Sequence, residues 1–162
     1  LPLQILWINL VTDSLPALAL SSEPMEKDVM KKKPEKQEIL TGIKSFIIIA
    51  GLITFLVNFL FFYWYIDNID LARTMAVTAS IIFEMFLVFS CKSDKSIFQS
   101  PMNKYLFYAV IVSIVVHIIA LYSFLGSFFN FVPLSIIHWI QLILISLIAF
   151  TSIEWLKKYK II

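Results

Sequence analysis

Leu3-Gln4-Ile5-Leu6-Trp7-Ile8-Asn9-Leu10-Val11-Thr12-Asp13-Ser14-Leu15-Pro16-Ala17-Leu18-Ala19-Leu20 is an apolar run of membrane-crossing length with a polar interruption near its middle. Asn9, Thr12, Asp13 and Pro16 fall at i, i+3, i+4 and i+7, so a helix puts an amide, a hydroxyl and a carboxylate on one face at membrane depth. Pro16 has no N–H, so the carbonyl of Thr12, four residues back, loses its helical partner. The spacing therefore predicts a helix kinked or unwound near Asp13–Pro16. An ionisable group in hydrocarbon costs roughly 2.5 kcal/mol even on the mildest scale, and such groups mark ion pathways by default. Carboxylate, amide, hydroxyl and freed carbonyl are all hard oxygen donors suited to a dehydrated cation. The run reads as a cation site buried in a membrane.

Composition agrees with that environment. The 162 residues are 60% hydrophobic and only 15% charged, against about 45–50% apolar in a soluble domain. Too little polar sequence is left for a soluble catalytic domain. Cys91 is the single cysteine, so an intrachain disulfide is excluded and a free thiol near a membrane surface is expected. Neither a signal peptide nor a lipidation motif is evident. The start at Leu1, entering an apolar run at once, is read as a cut through a larger protein.

Five runs reach the roughly 20 residues needed to cross the hydrocarbon core. They lie at about 3–20, 43–66, 72–90, 105–124 and 134–156. Helices rather than a barrel follow from the absence of strand-like alternation, so the fold class is all-α, an integral membrane bundle. Lys27, Lys31, Lys32, Lys33, Lys36, Lys44, Lys92, Lys95, Lys104, Lys157, Lys158 and Lys160 fall on one side of this arrangement, and Arg73 alone on the other. By the positive-inside rule the lysine-rich side, with the C-terminus, is cytoplasmic. Tyr63-Trp64-Tyr65, Trp139, Trp155 and Tyr159 stand at span ends, where aromatic rings favour the headgroup level. Glu26, Asp28, Glu35 and Glu38 interleave with the Lys31-Lys32-Lys33 run. It therefore reads as a solvated topogenic loop and gives no nucleic-acid patch.

Nine of the eleven acidic residues are assigned to connections or helix ends, which leaves Asp13 and Glu84 inside spans. Two acids on separate helices can share a divalent cation; Glu84 can equally be a protonated acid bonding between helices. His117 and His138 read as hydrogen-bonded packing residues. One Cys and two distant His make no closed soft metal site. Thr54, Asn58, Ser113, Gln141, Ser146 and Thr151 read as interhelical hydrogen-bond formers. Gly-rich phosphate loops and catalytic triads are not found in the sequence.

The Asn9-Leu10-Val11-Thr12-Asp13 core with Pro16 downstream resembles the sixth transmembrane helix of P-type cation-transporting ATPases, most closely calcium pumps. Glu23-Pro24, Asp28-Val29-Met30 and Pro34 are similar to that family's loop between helices six and seven. The five spans then correspond to helices six to ten. The resemblance implies that Asn9, Thr12 and Asp13 supply oxygens to calcium, the transported ligand, and that Glu84 on helix eight joins them. It implies that Ser21–Gly42 relays movement of the phosphorylation domain. It also implies that ATP and magnesium act only through domains absent from this chain, which by itself is expected to be inactive. The partners implied are the lipid bilayer and the missing N-terminal part, helices one to five with the cytoplasmic domains. The alternative is a standalone accessory or structural five-helix membrane protein. A third reading keeps the fold and changes the ion to sodium, potassium or proton.

Overall fold

The computed structural model describes residues 2–22, 43–91 and 103–159, and these form helices and short turns with no strand among them. The expected relay segment between helices, from residue 23 to 42, lies outside the described residues, as does the loop from 92 to 102. Five helices are long and apolar enough to cross a membrane: α1 (Pro2–Ser21), α2 (Lys44–Trp64), α3 (Ile69–Cys91), α4 (Lys104–Tyr122) and α6 (Ile136–Lys158). A short α5 (Phe124–Phe129) links the last two.

Local chemistry sets the boundaries. The Asn103 side chain accepts from the N–H groups of Tyr105, at 2.9 Å, and Leu106, at 3.3 Å, and so starts α4. The fourth span ends at Tyr122, earlier than the hydropathy reading of 105–124, because Ser123 turns to extended backbone and its side chain caps α5 instead. Asn130, at φ 53°, closes α5 in the left-handed region. The Phe131 N–H returns to the Gly126 carbonyl at 2.7 Å, the Schellman pattern that satisfies a terminal carbonyl. Ser135 opens α6 in a capping box with His138, whose Nδ1 accepts the Ser135 N–H at 3.2 Å. His138 is thus a hydrogen-bonded cap.

α3 is the central helix. It packs against α2 and α6 and also meets α1 and α4. Phe83, Met75 and Ala79 on it are fully buried, and Phe86 stacks on Phe150 of α6 with ring centroids 5.7 Å apart. Polar ties run across these interfaces. Asn58 donates to Ser80 at 2.7 Å, and the Tyr65 hydroxyl bonds Gln141. Thr54 and Thr151 instead return their hydroxyls to carbonyls of their own helices. The Ser146 hydroxyl is buried without a hydrogen-bond partner among the described residues. Of the six polar residues expected to bridge helices, Asn58, Ser113 and Gln141 therefore do. Meanwhile Phe55, Leu56, Phe59, Leu144 and Ile148 are exposed on the outside, a surface too apolar for water and suited to lipid.

Candidate cation site

α1 is not one uniform helix. Pro2–Trp7 is α-helical, Ile8–Asp13 is π-helical, and Ser14–Ser21 is α-helical again. The break expected at Asp13–Pro16 is therefore corrected: the chain runs through Pro16 as regular helix and widens one turn earlier. Proline is tolerated in the first turn of a helix, where its missing N–H has the least to serve. The π turn bonds i to i+5, and the residue it inserts lets the Pro16 ring clear the preceding carbonyls. Single π turns of this kind are frequently found at functional sites.

The widened turn also separates residues that an α-helix would align. Thr12 is buried, 1% exposed, whereas Asn9 and Asp13 are exposed on this chain. With more than 3.6 residues per turn, positions four apart stay together and the one three away rotates off. The single shared face expected for Asn9, Thr12 and Asp13 is accordingly split. Thr12 is buried toward α3, Asp13 stays exposed at the edge of the space between α1 and α3, and Asn9 is exposed away from it.

Thr12 Oγ1 lies 2.6 Å from the Ile8 carbonyl oxygen and 3.2 Å from Glu84 Oε2 on α3. A hydroxyl has one proton for these two neighbours. With a charged Glu84 it donates to the carboxylate; with a neutral one it can accept from the acid while donating to Ile8. Beside this contact is an open cleft of about 280 Å³ between α1 and α3. Thr12, Asp13 and Pro16 line one wall and Glu84, Met85 and Val88 the other, with Cys91 at the end of α3. The two intramembrane acids thus border one space, although 71 positions apart in sequence (84 − 13). Asn9 does not line it; its carbonyl accepts the Ser14 hydroxyl at 3.2 Å. Among the described residues no three His, Cys, Asp or Glu side chains gather closely enough to hold a metal ion. Asp13 and Glu84 are the two carboxylates bordering the cleft, so a cation here would need further oxygens from hydroxyls, carbonyls or from outside this chain. Cys91 is a free, exposed thiol.

Behind the cleft, α4 ties into the same region of α1. Trp7 Nε1 donates to His117 Nδ1 at 3.2 Å, and His117 Nε2 meets Thr78 Oγ1 at 3.2 Å. The Ser113 hydroxyl donates to the Val11 carbonyl at 3.0 Å. His117 is a packing histidine, as its isolation in an apolar helix suggested. One acid at a helix end is also buried, which its position did not reveal. Glu154, assigned to a helix end, is 6% exposed and accepts a hydrogen bond from Ser90, whose carbonyl accepts from Lys157. Its spacing four residues beyond Phe150, on the face that meets α3, was the available signal.

The comparison with known families now bears on this geometry. The family described as cation transporting ATPase, C-terminus, matches residues 1–159. This chain belongs to that family. Among its relatives, a calcium-transporting ATPase of Bacillus subtilis (strain 168) is 35% identical over 130 residues, covering 75% of this chain and 15% of the relative. Calcium-transporting ATPase type 2C member 1 of Homo sapiens is 36% identical over 129 residues, 74% of this chain and 14% of that protein. Calcium-transporting ATPase 1 of Bacillus cereus is 29% identical over 184 residues, covering 98% of this chain and 21% of its own length. The chain therefore spans between 14% and 21% of the length of these relatives. Family membership and five membrane-spanning helices together make it a multi-pass membrane protein.

Proposed function

We propose that this chain is the C-terminal membrane part of an ATP-driven calcium pump, contributing oxygens of Asn9, Thr12, Asp13 and Glu84 to the transported ion. The observation that carries this reading is the Thr12–Glu84 contact beside a cleft shared with Asp13, midway along two membrane-crossing helices. A carboxylate at that depth is costly unless it has an ionic or hydrogen-bonded role. A divalent cation satisfies two such groups at once. Asn9 and Asp13 are exposed on this chain, which leaves their oxygens open to ligands supplied by the rest of the pump.

ATP and magnesium act through the phosphorylation and nucleotide domains of the whole pump. A proton taken up by Glu84 as the cation leaves would offset the lost charge, with the neutral acid then donating to Thr12 Oγ1, so proton counter-transport is part of this proposal. The lysine distribution supports a cytoplasmic end for the segment after α6. In the full-length pump, Asp13→Asn abolishes calcium-dependent phosphoenzyme formation while the protein remains in the membrane. Unchanged calcium affinity in that variant removes the central assignment. A native polypeptide several times the 18.7 kDa of this chain agrees with the pump; a native product of this size favours the accessory protein.

A further inference from the structure

We propose that α4 is a positioning strut for the cation site, with Ser113 and His117 holding the π turn of α1 so that Thr12 faces Glu84. The proposal rests on the cation-site reading above. Trp7 and Val11 are one turn apart on α1, and Ser113 and His117 are one turn apart on α4. Because the helices run antiparallel, Trp7–His117 and Val11–Ser113 form two successive rungs, at 3.2 and 3.0 Å. The first rung stands immediately before the π turn Ile8–Asp13 and the second lies inside it. All four partners are buried, with Ser113 at 0% and His117 at 2% exposure.

The chemistry of each rung suits the task. The indole N–H is only a donor, so His117 Nδ1 is the acceptor and Nε2 carries the ring proton, directed at Thr78. One neutral imidazole thereby links α1, α4 and α3. In the π register the donor aimed at the Val11 carbonyl is Pro16, which has none. Ser113 supplies the missing hydrogen. Without it, a buried carbonyl favours the return of α1 to α-helical bonding, and that rotation carries Thr12 away from Glu84. Two further ties act at the ends of α1 and need no site: Gln4 donates to the Phe129 carbonyl at 3.0 Å, and Asn103 to the Ala19 carbonyl at 3.4 Å. The fold is therefore expected to survive loss of the central rungs, which leaves their placement at the π turn to serve the site.

The test uses the full-length pump in native membranes. S113A, S113T and W7F are compared by the calcium concentration giving half-maximal phosphorylation from ATP. Calcium-free phosphorylation by inorganic phosphate reports an intact pump that does not depend on cation binding. S113A is expected to raise the half-maximal calcium about three- to tenfold with phosphate labelling unchanged. S113T, which keeps the hydroxyl, stays within about twofold of native, and W7F shifts in the same direction as S113A. S146A, which removes a hydroxyl that bonds nothing among the described residues, stays native. An S113A pump with native calcium dependence overturns the strut, as do equal shifts in S113A and S113T. Parallel loss of phosphate labelling in S113A also overturns it, since that marks a role in folding alone. D13N run alongside separates the two levels. Defective D13N with native S113A sinks only the strut, whereas native calcium dependence in D13N removes the cation site on which it rests.

Discussion

Replacing Thr12 by valine tests the α1–α3 contact with almost no change in shape. Thr12 is 1% exposed, so the substitution leaves no cavity and exposes no new surface. What it removes is one hydroxyl, 2.6 Å from the Ile8 carbonyl and 3.2 Å from Glu84 Oε2. The Ile8 contact is local to α1, and back-bonding of this kind adds nothing to helix stability. The Glu84 contact spans two helices. A hydrogen bond to a charged group contributes about 1.5–3 kcal/mol, but interhelical bonds in membranes average nearer 0.6 kcal/mol. An interaction of about 1 kcal/mol lies between these, which is roughly a fivefold change in an equilibrium constant. The assay is a double-mutant cycle in the full-length pump, reading the calcium concentration for half-maximal phosphoenzyme formation. Thr12→Val alone is expected to raise it about fivefold, and Glu84→Leu alone by more. In the Glu84→Leu background, Thr12→Val adds less than about twofold, because the partner is already gone. Two losses that simply multiply would show the residues to be independent and refute the reasoning.

Three further outcomes follow from the packing. In Gly126→Ala, the added Cβ meets the Leu121 carbonyl oxygen at 2.9 Å and the Ala120 carbonyl oxygen at 3.3 Å, backbone atoms that cannot swing aside. The variant loses about 1–3 kcal/mol of stability, read as a lower thermal midpoint of the detergent-solubilised protein; an unchanged midpoint contradicts the close approach of α5 to α4. Ser90→Ala deprives buried Glu154 of a hydrogen-bond donor and lowers the same midpoint by the equivalent of about 1 kcal/mol, with calcium dependence retained because Ser90 does not line the α1–α3 cleft. A tag placed after α6 is expected to stay hidden from antibody in sealed right-side-out vesicles and to be labelled once they are permeabilised; labelling of the sealed vesicles would reverse the topology.

Much of this protein was legible before any coordinates. Hydrophobic runs set all five spans, because in hydrocarbon every backbone group must bond within its own helix and length alone then counts. Their ends were less legible. Ser123 and Ser135 end and begin helices through side-chain bonds to nearby N–H groups, a local competition that hydropathy averages away. Asp13 and Glu84 announced themselves as acids in apolar runs, but Glu154 did not. It does lie near the end of α6, as its nearness to the lysines suggested, but its face of the helix is covered by α3.

The sequence by itself determined that this is a helical membrane bundle carrying two intramembrane acids and a proline-marked oxygen cluster, since composition and spacing govern what can exist in a bilayer. Only the tertiary structure decided how those oxygens are divided. The π turn buries Thr12 against Glu84, leaves Asp13 exposed at the edge of their cleft and turns Asn9 away from it, a choice of hydrogen-bond register that an i, i+3, i+4 pattern cannot express. Likewise only the antiparallel packing of α4 on α1 brings Ser113 to the Val11 carbonyl, 102 residues away in sequence. Bond register and helix contact are properties of the packed chain, because the carbonyl that Pro16 leaves unserved can be satisfied only by a donor the fold delivers.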